Sequence, residues 1–272
     1  MDLTRQLRLA DTARAFDGVA PEYHTSNEAN PILRHMRRRS IDALRRHVAA
    51  GSRLLDLGCG PGTDHPDMVR SGYRVTAIDA SPAMAREAAE RTASMSEVRR
   101  PRVLCHPIEH LHELSFEPFD AAFSNFGPLN CVHDLTDVAR QIHAVLRPGG
   151  VMVASVIGRL CPWEIALYLS RGDVARAFRR FARSPVGVPL EDGTVWTRYL
   201  TPGEFERTFE SAGFTPRECR GLGVIAPPPY LSAFAARRSS LVEKLLDLDE
   251  TIGRMPLLRR VGDHFLVVLQ RG

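Results

Sequence analysis

Apolar residues recur along this chain in two alternating rhythms. Short, nearly continuous apolar runs at 53–57, 73–79, 103–106, 119–126 and 151–156 read as strands buried on both faces. Between them, apolar positions fall at helical spacing, as with Val138, Ile142, Val145 and Leu146, and read as helices laid on a sheet. The breaks carry helix starts and stops: Asn30-Pro31, Ser81-Pro82 and Thr201-Pro202 at the fronts, Gly51, Gly72 and Gly213 at the ends. Pro148-Gly149-Gly150 is a turn before the fifth strand. Strands alternating with helices predict an α/β, doubly wound, Rossmann-like sheet.

The flanks are less regular. A helix from Pro31 carries Leu33, Met36, Ser40, Leu44 and Val48 on one face, with Arg37, Arg38, Arg39, Arg45 and Arg46 read as a solvated face. Another short helix is expected over 67–71. Beyond Gly158 the rhythm pauses, with two short helices at 162–170 and 173–183 and an irregular or hairpin segment at 185–200 turning at Glu191-Asp192-Gly193. A helix from Thr201, a strand near 218–225, a stiff Ala226-Pro227-Pro228-Pro229-Tyr230 loop, a helix at 233–249 and a strand at 264–270 complete the chain.

The stretch that positions chemistry is Leu54-Leu55-Asp56-Leu57-Gly58-Cys59-Gly60-Pro61-Gly62-Thr63-Asp64. A strand end followed by glycines at every second position lets the chain turn sharply and a ligand lie against bare backbone. Thr63 stands where a dinucleotide fingerprint needs its third glycine, so an NAD oxidoreductase is disfavoured. Asp79 ends the second strand about twenty residues on, where a carboxylate accepts both hydroxyls of a ribose.

Composition changes this picture little. With 272 residues, 44% hydrophobic and 25% charged, one large α/β unit with an embellishment is expected. The net charge is +4, almost all the positive charge is arginine, Lys244 being the sole lysine, and this does not by itself imply nucleic acid. Five scattered cysteines without a C-x-x-C pair read as reduced thiols in a cytoplasmic protein. No run reaches the length of a membrane span, and the His106, His110, His112 stretch is broken by Pro107, so no metal is expected.

The order D-x-G-x-G-x-G at Asp56–Gly62 resembles motif I of the class I S-adenosylmethionine-dependent methyltransferases. Asp79, the fourth strand and Leu146-Arg147-Pro148-Gly149-Gly150 extend the resemblance over about residues 50–157. Phe16-Asp17-x-x-Ala20-x-x-Tyr23 is similar to the N-terminal signature of ubiquinone- and menaquinone-type methyltransferases. The resemblance implies a seven-stranded sheet with an antiparallel last strand and a mainly helical cap inserted after strand five. It divides the chain into an N-terminal helical lid segment at 1–50, a cofactor-binding core at 51–158, a substrate cap at 159–200 and the rest of the core at 201–272.

The implied cofactor is S-adenosyl-L-methionine, with S-adenosyl-L-homocysteine as product. The implied cofactor residues are Tyr23, Asp56, Gly58, Cys59, Gly60, Gly62, Asp79, Ala80, Ile108, Glu109, Asn125 and Phe126. Pro107 departs from the family's usual Asp at the adenine turn, leaving Glu109 or a backbone carbonyl to meet the amine. Phe16, Trp163, Tyr168, Tyr199 and Tyr230 are candidate substrate contacts, and Trp196 is read with the cap's inner aromatics.

Methyl transfer asks mainly for alignment and the exclusion of water, with a base where the acceptor needs one. His133, just after the fourth strand, is the first candidate base, with His24 as a second and Asn130 as an orienting amide. A small-molecule methyltransferase acting on O, N or C is expected, as a monomer or homodimer without nucleic-acid partners. The alternatives are a cyclisation or rearrangement promoted by the bound sulfonium, and a non-catalytic binding subunit.

Overall fold

The computed structural model describes residues 3–191 and 193–272. Strands β1 (Arg53–Leu57), β2 (Arg74–Asp79), β3 (Arg102–Cys105), β4 (Phe119–Ser124) and β5 (Leu146–Ile157) pair in parallel in the order β3-β2-β1-β4-β5. A hairpin, β6 (Val186–Leu190) and β7 (Gly193–Thr197), stands apart from this sheet. Strands β8 (Phe214–Leu222) and β9 (His264–Arg271) complete it, β9 lying antiparallel between β5 and β8. The sheet is therefore seven-stranded with its last strand reversed, as expected.

The strand order reverses between β1 and β4, so the carboxyl ends of these two strands open a crevice at the centre of the sheet. Side-chain alternation explains the two cores. Leu55, Leu57, Ala122, Phe265 and Val267 pack on one face, Leu54, Phe123, Leu266 and Val268 on the other.

Eleven α-helices surround the sheet among the described residues: α1 (Leu3–Ala29), α2 (Pro31–His47), α3 (His65–Arg70), α4 (Pro82–Arg91), α5 (Pro128–Cys131), α6 (Leu135–Val145), α7 (Pro162–Ser170), α8 (Val174–Ala177), α9 (Pro202–Ser211), α10 (Ser232–Arg237) and α11 (Ser239–Ile252). The cap signals hold in detail. Asn30 accepts from the N–H groups of Ile32 and Leu33, Ser81 from Met84, and Thr201 forms a reciprocal box with Glu204.

Several boundaries differ from the sequence reading, for identifiable reasons. β5 starts at Leu146, because Leu146 already pairs with Phe119 and the Pro-Gly-Gly segment bulges within the strand, Gly149 at φ +75°. β8 starts at Phe214, ahead of 218–225, because Pro216 sits at a register shift on an edge strand, where a missing N–H is tolerated. The helix read over 233–249 is broken at Arg238 into α10 and α11. The helix read over 173–183 shrinks to α8 and a 3₁₀ turn at Arg179–Phe181. Arg37 and Arg39 are buried, contrary to a solvated face, because each meets a carboxylate, Asp64 and Glu250 respectively. Asp192, placed in the hairpin turn, lies outside the described residues.

The N-terminal segment is helical, as expected, but the extent of its first helix was not legible. α1 runs for 27 residues, including Pro21, without an amphipathic stripe. It is held by docking instead. Asp17 accepts from the Ser81 hydroxyl at 2.6 Å and the Ala83 N–H at 2.9 Å, at the start of α4. On its other side β7 packs close: a Cβ at Gly193 would lie 2.5 Å from the Ala15 Cβ. Thus α1 and the hairpin together roof the crevice. The helical part of the inserted segment, α7 and α8, sits to one side.

Candidate functional site

Beneath that roof lies an open-mouthed cleft of about 1140 Å³, its mouth included. Its floor is the glycine loop after β1. Gly58 has φ +72°, and a Cβ there would stand 2.3 Å from the Pro128 Cβ, so this residue lets the loop pass under α5. Gly60 has φ +53° with nothing within 4 Å of where its Cβ would be. Asp79, at the end of β2, accepts from the Gly60 N–H at 2.8 Å and the Ser81 N–H at 2.9 Å. Burial raises its carboxyl pKa to about 6, against the pull of those two bonds.

Asp56 is buried at the end of β1, and burial raises its pKa while the His65 ring, 3.2 Å away, opposes the rise. Opposite, Arg37 reaches Asp64, whose second oxygen receives the Asn125 amide at 3.1 Å. The Asn125 carbonyl oxygen is buried with no partner among the described residues. Phe126 follows at φ +63°, a strained conformation for a bulky residue, with its ring between the Arg37 guanidinium at 5.0 Å and the His264 ring at 5.8 Å.

Of the cofactor residues read from sequence, Tyr23, Asp56, Gly58, Cys59, Gly60, Asp79, Ala80, Ile108, Glu109, Asn125 and Phe126 line this cleft. Gly62 does not. It packs behind the loop, where a Cβ would lie 2.6 Å from His65 and 3.1 Å from Ala88. Glu109 is buried in the turn after β3, which raises its pKa, and Pro107 is absent from the lining.

The three candidate catalytic residues stand elsewhere. His133 is exposed and faces a different cavity. Asn130 is fully engaged: its amide donates to the Ile157 and Arg198 carbonyls and its oxygen accepts from the Ile157 N–H, tying β5 to the segment after β7. His24 meets the Thr63 hydroxyl at 3.1 Å and fastens α1 to the glycine loop. None of the three lines the cleft.

Of the aromatics read as substrate contacts, Phe16 alone lines the cleft, packed edge-on against Tyr23. Trp163 donates to the Ile225 carbonyl, Tyr168 lies under Arg176, Tyr199 packs on Arg180 and the half-exposed Tyr230 meets Glu164. Trp163 and Tyr230 fasten the inserted segment to the stretch after β8, and Tyr168 and Tyr199 pack within the segment itself. Trp196 turns away from the cleft toward Asp11 and Arg8 on α1, because strand alternation aims Val195 and Thr197 inward instead.

Sequence reasoning missed Leu9, Thr12 and Ala13 on α1, Arg37, Asp64, and the pair Val195 and Thr197. The last pair had a signal, the period-two pattern of the hairpin strand. Among the described residues no group of three metal-ligating side chains is assembled.

Comparison with known proteins places these features. A family model described as "Methyltransferase domain" matches residues 54–150. A malonyl-[acyl-carrier protein] O-methyltransferase of Enterobacter lignolyticus is 34% identical over 150 residues, 53% of this chain and 53% of that protein. A ubiquinone biosynthesis O-methyltransferase of Methylobacterium sp. is 27% identical over 213 residues, 75% of each chain. The chain thus spans about half of the first relative and three quarters of the second. In fold it is similar to the 1,6-didemethyltoxoflavin-N1-methyltransferase of Burkholderia thailandensis, a structure with bound 1,6-didemethyltoxoflavin and S-adenosylhomocysteine. The TM-score is 0.58 at 20% identity, covering 98% of this chain and 89% of that one.

Proposed function

The chain belongs to the class I S-adenosylmethionine-dependent methyltransferases, and from that premise we propose that it methylates an oxygen atom of a small, mainly apolar acceptor held in the roofed cleft. The residues present fit the cofactor. The Asp79 carboxylate is oriented by two backbone N–H groups and lines the cleft, suiting it to accept the ribose hydroxyls. The Gly58–Gly60 backbone and Asp56 offer a cradle for the amino-acid end. Arg37 would meet its carboxylate, and the unpartnered Asn125 oxygen would accept from its ammonium. Ile108 would flank the adenine, and Glu109 would meet its amine in place of the family's Asp. When bound, the cofactor supplies a methyl group on a positively charged sulfur.

The observation that carries the choice of acceptor is the wall opposite the glycine loop. Leu9, Thr12, Ala13 and Phe16 from α1 face Val195 and Thr197 from β7, with no charged side chain among these six. Such a wall selects by shape and apolar contact, and keeps water from the reacting atoms. The side chains lining the cleft that could take a proton include the carboxylates Asp79 and Glu109, weak bases that suit an acceptor whose own oxygen ionises readily, a phenol or a carboxylic acid. The relatives named above as O-methyltransferases support oxygen as the acceptor atom.

The test is incubation with S-adenosylmethionine and a panel of phenols and aromatic carboxylic acids, read by product mass. Products heavier by one CH₂, accompanied by S-adenosylhomocysteine, are expected. A product of unchanged mass contradicts methyl transfer and favours rearrangement.

A further inference from the structure

The wall between α5 and β7 has two sides, and the second is also a cavity. Val132 and Thr197 face the cofactor cleft, while their neighbours His133 and Arg198 face an open pocket of about 1090 Å³, mouth included. Its remaining lining is Asp134, Leu135 and Thr136 at the start of α6, Leu200, and Glu204, Arg207, Thr208 and Ser211 on α9.

The charges in this pocket are unequally engaged. Asp134 caps α6, accepting from the Thr136 and Asp137 N–H groups at 3.0 and 3.1 Å. Glu204 accepts from Arg159 at 2.8 Å and from both the N–H and the hydroxyl of Thr201 at 2.8 Å. These contacts hold its carboxyl below the usual range against burial, so it is an ionised group already neutralised by Arg159. The Arg198 and Arg207 side chains have no hydrogen bond or ion pair among the described residues, and His133 is likewise unengaged through its ring. Two exposed arginines, one just after β7 and one on α9, therefore line one concavity together with the exposed His133, while the two carboxylates that share it are already engaged.

We propose that this pocket binds a phosphate group. Guanidinium forks match the paired oxygens of phosphate, and their origin on two separate elements suits a tetrahedral anion better than a planar carboxylate. The chemistry is the same whether the phosphate is a free ion or an ester on a larger molecule. The site is independent of the cofactor reading, because none of its residues lines the cofactor cleft.

The experiment is calorimetric titration of the whole protein at low ionic strength with inorganic phosphate and, separately, phenyl phosphate. It is repeated on Arg198→Gln, on Arg207→Gln and on an Arg176→Gln control from the distant α8. Saturable binding that weakens about tenfold in each of the first two variants, but not in the control, is expected, since each removes a charge-assisted contact. Tighter binding of phenyl phosphate identifies an ester as the ligand, and tighter binding of inorganic phosphate identifies the free ion. Unchanged melting temperatures show that the exposed substitutions leave the fold intact. Absence of saturable binding by both probes, or equal weakening in the control, overturns the proposal.

Discussion

Arg37 and Asp64 form a buried ion pair at 2.5 Å that joins α2 to the glycine loop at the wall of the cofactor cleft. The pair sets the loop's position from the opposite side to the sheet, and leaves Arg37 facing the space where an anionic group would lie. Arg37→Ala strands a buried carboxylate and should cost about 3 kcal/mol of stability. Arg37→Ala combined with Asp64→Asn should recover most of that loss, yet still bind S-adenosylhomocysteine weakly. Chemical denaturation and calorimetry on both variants separate the two effects.

The glycine loop makes a second, contrasting pair of predictions. Gly58→Ala forces a methyl group to within 2.3 Å of Pro128 at a left-handed φ and should lose about 2 kcal/mol or more of stability. Gly60→Ala meets no atom within 4 Å, so only the left-handed backbone opposes it, by about 1–2 kcal/mol. Its methyl projects from a residue lining the cleft, so its binding of S-adenosylhomocysteine should fall out of proportion to its small change in melting temperature.

These contrasts also show what the chain's pattern could and could not reveal. The five parallel strands, the loop and Asp79 were legible because a buried strand and a glycine turn are local features, written in consecutive residues. Arg37 was not, because its burial depends on Asp64 arriving from another element. The same holds for α1, whose docking rests on Asp17 and His24 meeting the loop and α4, without an apolar stripe of its own. His133 was placed correctly after the fourth strand, but which side of a wall a loop residue faces is a tertiary fact.

Asp79 gives a pH dependence. Its folded pKa of about 6 lies above the ordinary 3.8, so the folded state holds this proton more tightly than the unfolded chain does. Asp79 therefore lowers the stability of the ligand-free protein at neutral pH, and that penalty is relieved as pH falls through about 6 toward 4. With Asp79 proposed as the ribose acceptor, binding draws on its ionised form, so S-adenosylhomocysteine affinity should drop below about pH 6 even as this contribution to stability rises. Melting curves and titrations across pH 5 to 8, with Asp79→Asn removing both trends, check the assignment.

Arg180 anchors the inserted segment. It bonds Glu164 on α7, Asp263 before β9 and the Gly158 and Asp263 carbonyls, all out of water. The guanidinium holds the Asp263 carboxyl far below the usual range, a stabilising contribution present at neutral pH and lost in strong acid. Arg180→Ala leaves two buried carboxylates short of their cation and should destabilise by about 3–5 kcal/mol. Limited proteolysis should then cut first within 159–200.

The most direct measurement is calorimetric titration of the purified protein and of Asp79→Ala with S-adenosylmethionine and S-adenosylhomocysteine. One site per chain in the parent, with affinity reduced about a hundredfold in the variant as the ribose loses its charged acceptor, is the predicted result. No binding by the folded parent, or equal binding by the variant, would contradict the placement of the cofactor in this cleft.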